Sequence, residues 1–222
     1  MNSAYKLVLF DMDGTLVNSE VIAHEVLCEH LGEFDYELSP TESIRRFAGR
    51  NIPECFAEIG HERGEPLPEG FETEFRRRSA IAFEARLRPI DGVVELLTCM
   101  NQIVAVASNG PRFKIEANLR ISGLDTFFGD RVFSAYEVNS WKPEPGLFLA
   151  AARALNIDPA DCLVVEDTPT GYAAATAAGM DVMIHDPDGH ASHINEQKKF
   201  QQYEVLAERT YLTYRRPIVT DE

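Results

Sequence analysis

The sequence predicts an α/β fold, a doubly wound parallel sheet with an α-helical segment inserted after its first strand. Three observations predict it. Lys6 to Phe10, Ile103 to Ala107, Leu163 to Val165 and Asp181 to Ile184 are short, largely apolar runs rich in β-branched residues, which suits strands buried on both faces. Helical patterns with readable ends lie between them: Gly123 follows Phe113 to Ser122 and Gly179 follows Tyr172 to Ala178, each where a left-handed C-cap is expected. From Asn18 to Leu87, by contrast, strand signals disappear. Strand and helix in alternation give the doubly wound core.

The insert has its own punctuation. Ser39, Pro40 and Glu42 read as a capping box with proline at the first helical position. Gly64 to Gly70, with Pro66 and Pro68, reads as a loop before a long helix from Phe71 to Arg86. Pro89 to Gly92 returns the chain to the core. The expected division is a core of residues 1–17 and 88–222 with a helical cap of residues 18–87. The last twenty or so residues, Tyr211 to Arg216 among them, present no readable element.

The 222 residues contain no apolar run near the ~20 needed to span a bilayer. No basic, apolar and small-residue sequence of a secretory signal precedes the first strand, so a cytoplasmic protein is expected. Cys28, Cys55, Cys99 and Cys162 are scattered without metal-ligand spacing and read as reduced thiols. A formal net charge of -15 counts against nucleic acid or an anionic membrane as partner.

The chemistry-bearing residues stand at strand ends. Asp11 and Asp13 leave the first strand at its carboxyl end, where both reach the crevice in which α/β proteins bind ligands, and Gly14 permits the sharp turn. A carboxylate there can attack phosphorus, and a second one two positions on can protonate a leaving oxygen and later deprotonate water. Ser108 and Asn109 end the second apolar strand, Lys142 precedes a proline-started helix, and Glu166 with Asp167 ends a third strand. Paired carboxylates beside a buried strand are costly without a cation, and hard oxygen ligands suit Mg²⁺.

In this order the four clusters resemble the motifs of the haloacid dehalogenase superfamily, over roughly residues 5–17 and 88–187. The resemblance implies a Rossmann-like core and an aspartyl-phosphate mechanism. Asp11 would be the nucleophile and Asp13 the acid and base. Ser108 and Lys142 would hold the phosphoryl group, and Asn109 would orient the substrate. Mg²⁺ would be bound by Asp11, Asp167 and the Asp13 carbonyl, with Glu166 a ligand or its neighbour. Because the whole chain is acidic, such a phosphate site must be built locally.

Several reactions of the superfamily are pruned by single residues. Asp13 counts against a dehalogenase, which lacks the second acid, and residues 18–87 hold no lysine for the Schiff base of a phosphonate hydrolase. A phosphosugar mutase of the beta-phosphoglucomutase kind carries a histidine where this chain has Ala23; His24 is one position off and is expected to be an exposed helix residue. An inactive interaction module would have lost a catalytic group, and none is lost. What remains is a phosphatase of a small phosphorylated metabolite. Ser108 to Lys114 and Phe133 to Pro145 resemble the bacterial 6-phosphogluconate phosphatases, which implies a sugar phosphate or phosphorylated sugar acid. In the cap, Arg46, Gly49 and Arg50 fall where relatives place a specificity loop, whereas Arg76 to Arg78 read as a solvated helix face.

Overall fold

The computed structural model describes residues 5–48, 50, 52–185 and 199–200. Gly49 and Tyr211 to Arg216 therefore lie outside the described residues. In chain order the elements are β1 (Leu7–Phe10), α1 (Ser19–Gly32), α2 (Pro40–Phe47), α3 (Ile52–Arg63), α4 (Phe71–Arg86) and α5 (Val93–Cys99). There follow β2 (Ile103–Ser108), α6 (Arg112–Ser122), α7 (Asp125–Phe128), β3 (Val132–Ser134), α8 (Ala135–Val138) and α9 (Gly146–Ala154). The chain continues with β4 (Cys162–Glu166), α10 (Pro169–Ala177), β5 (Asp181–His185) and β6 (Lys199–Phe200). It divides into two compact units, one reaching Leu16 and resuming at Pro89, the other Val17–Arg88.

Among the described residues the first unit holds a 6-stranded sheet in the order β3-β2-β1-β4-β5-β6, every pairing parallel. Parallel strands need crossovers, and helices supply them from β1 through to β5. Leu7 and Leu9, with Ala105, Val164 and Val182, pack on one face against Leu147, Phe148 and Ala151 of α9 and Ala174 of α10. Their neighbours Val8 and Phe10 point the other way and are equally buried, with Phe10 edge-on to Phe128 at 6.2 Å. Burial on both faces is why these strands read as unbroken apolar runs. Gly123 ends α6 with φ 73, the left-handed cap expected of it. The short β3 was not among the expected strands: three residues long, it is too brief for a periodic signal.

The second unit is helical. α1 packs against α2 and α4 around Val26, Leu27, Leu31, Phe47, Ile59, Phe71 and Phe75. Ser39 caps α2 by accepting the Glu42 N–H at 3.2 Å, while the Glu42 carboxylate turns to Arg45 rather than back to the cap. His24 is a correction. It is buried at 7% exposure, its Nδ1 2.7 Å from the fully buried Ser43 Oγ and its Nε2 3.3 Å from Glu20. With α2 and α4 both against α1, the solvent face of that helix is too narrow to include position 24. Arg76 and Arg77 do lie on a solvated face, paired with Glu72 and Glu74, and Arg78 reaches Glu33 as well. All four cysteines are free, and among the described residues no helix is long and apolar enough to cross a membrane.

Truncating Phe128 to alanine should open a cavity under β1 and cost about 3–5 kcal/mol. Urea unfolding checks this; a loss below about 1 kcal/mol would mean that this face of the sheet is not packed as described.

Candidate active site

The parallel register brings the functional side chains to one edge of the sheet. Phe10 is level with Val106 on one side and Val165 on the other, so Asp11, one residue on, leaves β1 between the ends of β2 and β4. The Asp11 N–H still donates to the Val165 carbonyl at 2.9 Å. Ser108 ends β2, level with Ser134, and Glu166 ends β4, level with Ile184.

At the centre stands a buried ion triad. Lys142, 7% exposed, donates to the Asp11 carboxylate and, at 2.7 Å, to Glu166 Oε1. Its ammonium also faces the Phe148 ring, 5.1 Å from the centroid. Burial works against the lysine's charge, yet Asp11 and Glu166 hold its pKa above the usual lysine range. Burial likewise pushes the Asp11 carboxyl up, to about 7, against the pull of Lys142 and with a further push from Glu166.

Each member of the triad is positioned by the chain around it. Asn109 Oδ1 accepts the Lys142 N–H at 2.9 Å, and its amide reaches the Lys142 carbonyl at 3.5 Å. Asn109 therefore holds the lysine loop. The Lys142–Pro143 peptide is cis. Ser108, buried, accepts the Gly110 N–H at 3.1 Å. Ser134 in turn donates to the Gly110 carbonyl at 2.7 Å, so β3 buttresses this turn.

Glu166 is 1% exposed and accepts four hydrogen bonds. Oε1 takes Lys142; Oε2 takes the Asp167 N–H at 2.9 Å, the Thr168 N–H at 2.8 Å and the Thr168 hydroxyl at 2.8 Å. Three of the four donors converge on Oε2 and one reaches Oε1. Thr168 also caps α10 by accepting the Gly171 N–H at 3.1 Å. At Gly171 itself an added Cβ would fall inside the Glu166 carboxylate, so only glycine lets the first turn of α10 come this close.

Asp13 and Asp167 are half-buried at the rim. Asp167 Oδ1 accepts the Thr15 hydroxyl at 2.9 Å, and Lys114 Nζ lies 3.3 Å from Asp13 Oδ2. Among the described residues Asp11, Asp13, Glu166 and Asp167 thus bring four carboxylates to this edge, with Lys142 against Asp11 and Glu166 and Lys114 beside Asp13. Hard, negative oxygen of this kind fits a divalent cation such as Mg²⁺. Among the described residues no three His, Cys, Asp or Glu side chains gather as a metal-holding group, but Mg²⁺ asks for only one or two carboxylates, completing its octahedron with water and phosphate oxygens. In the helical unit Arg46 is engaged by Glu58 at 2.9 Å and Glu62 at 2.6 Å, and Arg50 by Glu58 at 3.0 Å. Thr15, Lys114, Ser134, Thr168 and Gly171 went unassigned from sequence; only Thr168, an N-cap residue ahead of Pro169, had a local signal.

Comparison with known proteins bears on this arrangement. The family of haloacid dehalogenase-like hydrolases matches residues 5–179. The chain is 34% identical over 197 residues to the 6-phosphogluconate phosphatase of Escherichia coli, covering 88% of this chain and 89% of that protein. It is 29% identical over 185 residues to the fructose-1-phosphate phosphatase of the same organism, covering 82% and 97%. Among solved structures, a haloacid dehalogenase-like protein of unknown function from Agrobacterium tumefaciens superposes with a TM-score of 0.85 at 27% identity, covering 95% of this chain and all 100% of that one.

Gly171→Ala tests the cradle around Glu166. The methyl group must displace a carboxylate tied by four hydrogen bonds, so stability should fall by about 1–3 kcal/mol in urea unfolding. Stability within about 0.3 kcal/mol of the parent would show that α10 can move away and that the close approach is not required.

Proposed function

The chain belongs to the haloacid dehalogenase-like hydrolase family, and on that premise we propose that it is a Mg²⁺-dependent phosphatase of small phosphorylated metabolites, working through an aspartyl-phosphate. A sugar phosphate or phosphorylated sugar acid is the substrate class, and 6-phosphogluconate is the leading substrate. The observation that carries the reading is the Lys142 ammonium buried between Asp11 and Glu166 at the carboxyl edge of the sheet.

The residues divide the work as follows. Asp11 attacks phosphorus and takes the phosphoryl group. Asp13 delivers a proton to the departing oxygen, then accepts one from the water that releases phosphate. Lys142 offsets the charge that accumulates between nucleophile and phosphate, and Glu166 keeps it aimed. The Ser108 hydroxyl, with the amides that follow it, holds phosphoryl oxygens. Asp11, Asp167 and the Asp13 carbonyl would hold Mg²⁺, which supplies positive charge against the repulsion between carboxylates and substrate phosphate.

Three further points support the substrate class and setting. The E. coli relative at 34% identity is named for 6-phosphogluconate and the other for fructose 1-phosphate. Arg50, 41% exposed and paired with Glu58, is the less committed of the two cap arginines and the one we assign to a substrate carboxylate; Arg46, 17% exposed, is committed to two glutamates. Four free thiols suit a reducing, cytoplasmic setting. A phosphosugar mutase is the weaker reading, since Ala23 stands where that activity uses a histidine and the relatives named above are phosphatases.

Purified protein should release phosphate from sugar phosphates with Mg²⁺ and stop in excess EDTA, and Asp11→Asn should lower kcat by at least roughly 10³-fold with the circular-dichroism spectrum unchanged. Asp11→Asn within tenfold of the parent would sink the covalent mechanism.

Arg50→Ala should lower kcat/KM for a phosphorylated sugar acid by about tenfold to a hundredfold, the equivalent of one charge-assisted contact. An aryl phosphate that fills only the core site should be nearly indifferent. Equal losses on both substrates would assign Arg50 to the fold of the helical unit.

A further inference from the structure

The chain has only five lysines, and two of them meet the aspartates of the loop after β1: Lys142 meets Asp11, and Lys114 meets Asp13. Lys114 lies in the first turn of α6, and that turn is anchored by Arg112. The Arg112 guanidinium reaches Glu137 at 2.6 Å, Glu116 at 3.3 Å and the Val132 carbonyl at 2.6 Å, which ties α6 to β3 and α8. The lysine stem then runs over the Ser108–Gly110 turn. A Cβ at Gly110 would lie 3.9 Å from Lys114 Cδ and 3.5 Å from Ser108 Oγ. The ammonium arrives 3.3 Å from Asp13 Oδ2, with side-chain exposures of 38% and 24%.

An ion pair this exposed adds little to stability, so its consequence lies in geometry. Asp13 leaves a turn at Gly14, where φ is 80, and Lys114 is one of the groups that its carboxylate meets. We propose that Lys114 is a positioning residue for Asp13, holding the carboxyl where it serves the leaving oxygen; the proposal deepens the aspartyl-phosphate reading above and rests on it. In the first half-reaction an Asp11 oxygen bonds to phosphorus, the ester P–O bond breaks, and the Asp13 proton passes to the departing oxygen. In the second, a water oxygen bonds to phosphorus, its proton passes to Asp13, and the Asp11–phosphorus bond breaks to release phosphate. Both proton transfers need the same carboxyl within hydrogen-bond reach, and a displacement of about 1 Å there is worth up to a hundredfold in rate.

The test compares leaving groups. An alkyl phosphate, 6-phosphogluconate or glucose 6-phosphate, departs as an alkoxide that needs a proton; 4-nitrophenyl phosphate departs as a stable phenolate. Values of kcat/KM report the steps up to the aspartyl-phosphate. Lys114→Ala and Lys114→Gln should lower kcat/KM for the alkyl ester by roughly tenfold to a hundredfold more than for the aryl ester. Lys114→Arg, which restores a cation, should recover most of the difference. Three results would overturn the assignment: an unchanged alkyl-to-aryl ratio, no recovery with arginine, or a loss confined to KM for the alkyl ester, which would make Lys114 a substrate-binding group. Parent protein inert toward both esters would instead overturn the phosphatase reading and this inference with it.

Discussion

A single ammonium group buried between two carboxylates organises the sheet edge. Charges are expensive to take out of water, and removing one partner of such a cluster leaves another charge stranded. The structure answers with supports on every side of Lys142. Asn109 grips its backbone, Phe148 lies beneath its ammonium, and Thr168 with two backbone amides fixes Glu166 opposite it. Those supports come from β2, β4, α9 and α10, so the loops after separate strands are locked into one constellation. Thr15 bonded to Asp167 and His185 against the Gly14 carbonyl close the ring from the remaining side.

Much of this was legible in the sequence, and what was not shares a physical cause. Strands buried on both faces leave unbroken apolar runs, so β1, β2, β4 and β5 could be read directly, whereas the three-residue β3 could not. Asp11, Asp13, Lys142 and Asp167 were readable because each sits beside a strand end or a helix-starting proline. The working partners of Asn109 and Glu166 were hidden. Asn109 bonds a backbone 33 residues away and Glu166 a lysine 24 residues away, separations at which periodicity says nothing. His24 failed for a related reason: facing direction along a helix predicts burial only when the number of neighbours packed on that helix is known.

The helical unit shows the limit of counting charges. Arg46 and Arg50 looked available for an anionic substrate, yet both pair with glutamates of the same unit, as do Arg76, Arg77, Arg78 and Arg86. A substrate carboxylate at Arg50, as proposed above, would have to compete with Glu58 rather than meet a bare cation. Where selection of an anion depends on displacing an internal partner, affinity is reduced but discrimination against uncharged analogues is sharpened, because only a true anion repays the exchange.

The fit of α10 against Glu166 also constrains how this chain can diverge. Position 171 has no room for a methyl group while position 166 carries a glutamate. An aspartate at 166 would draw the carboxylate back by one methylene and vacate the space, at the cost of a longer reach to Lys142. The two sites are thus epistatic, and the order of substitution matters. A lineage that shortens 166 first opens 171 to alanine, while one that changes 171 first passes through a form with Glu166 pushed out of its place beside the central lysine.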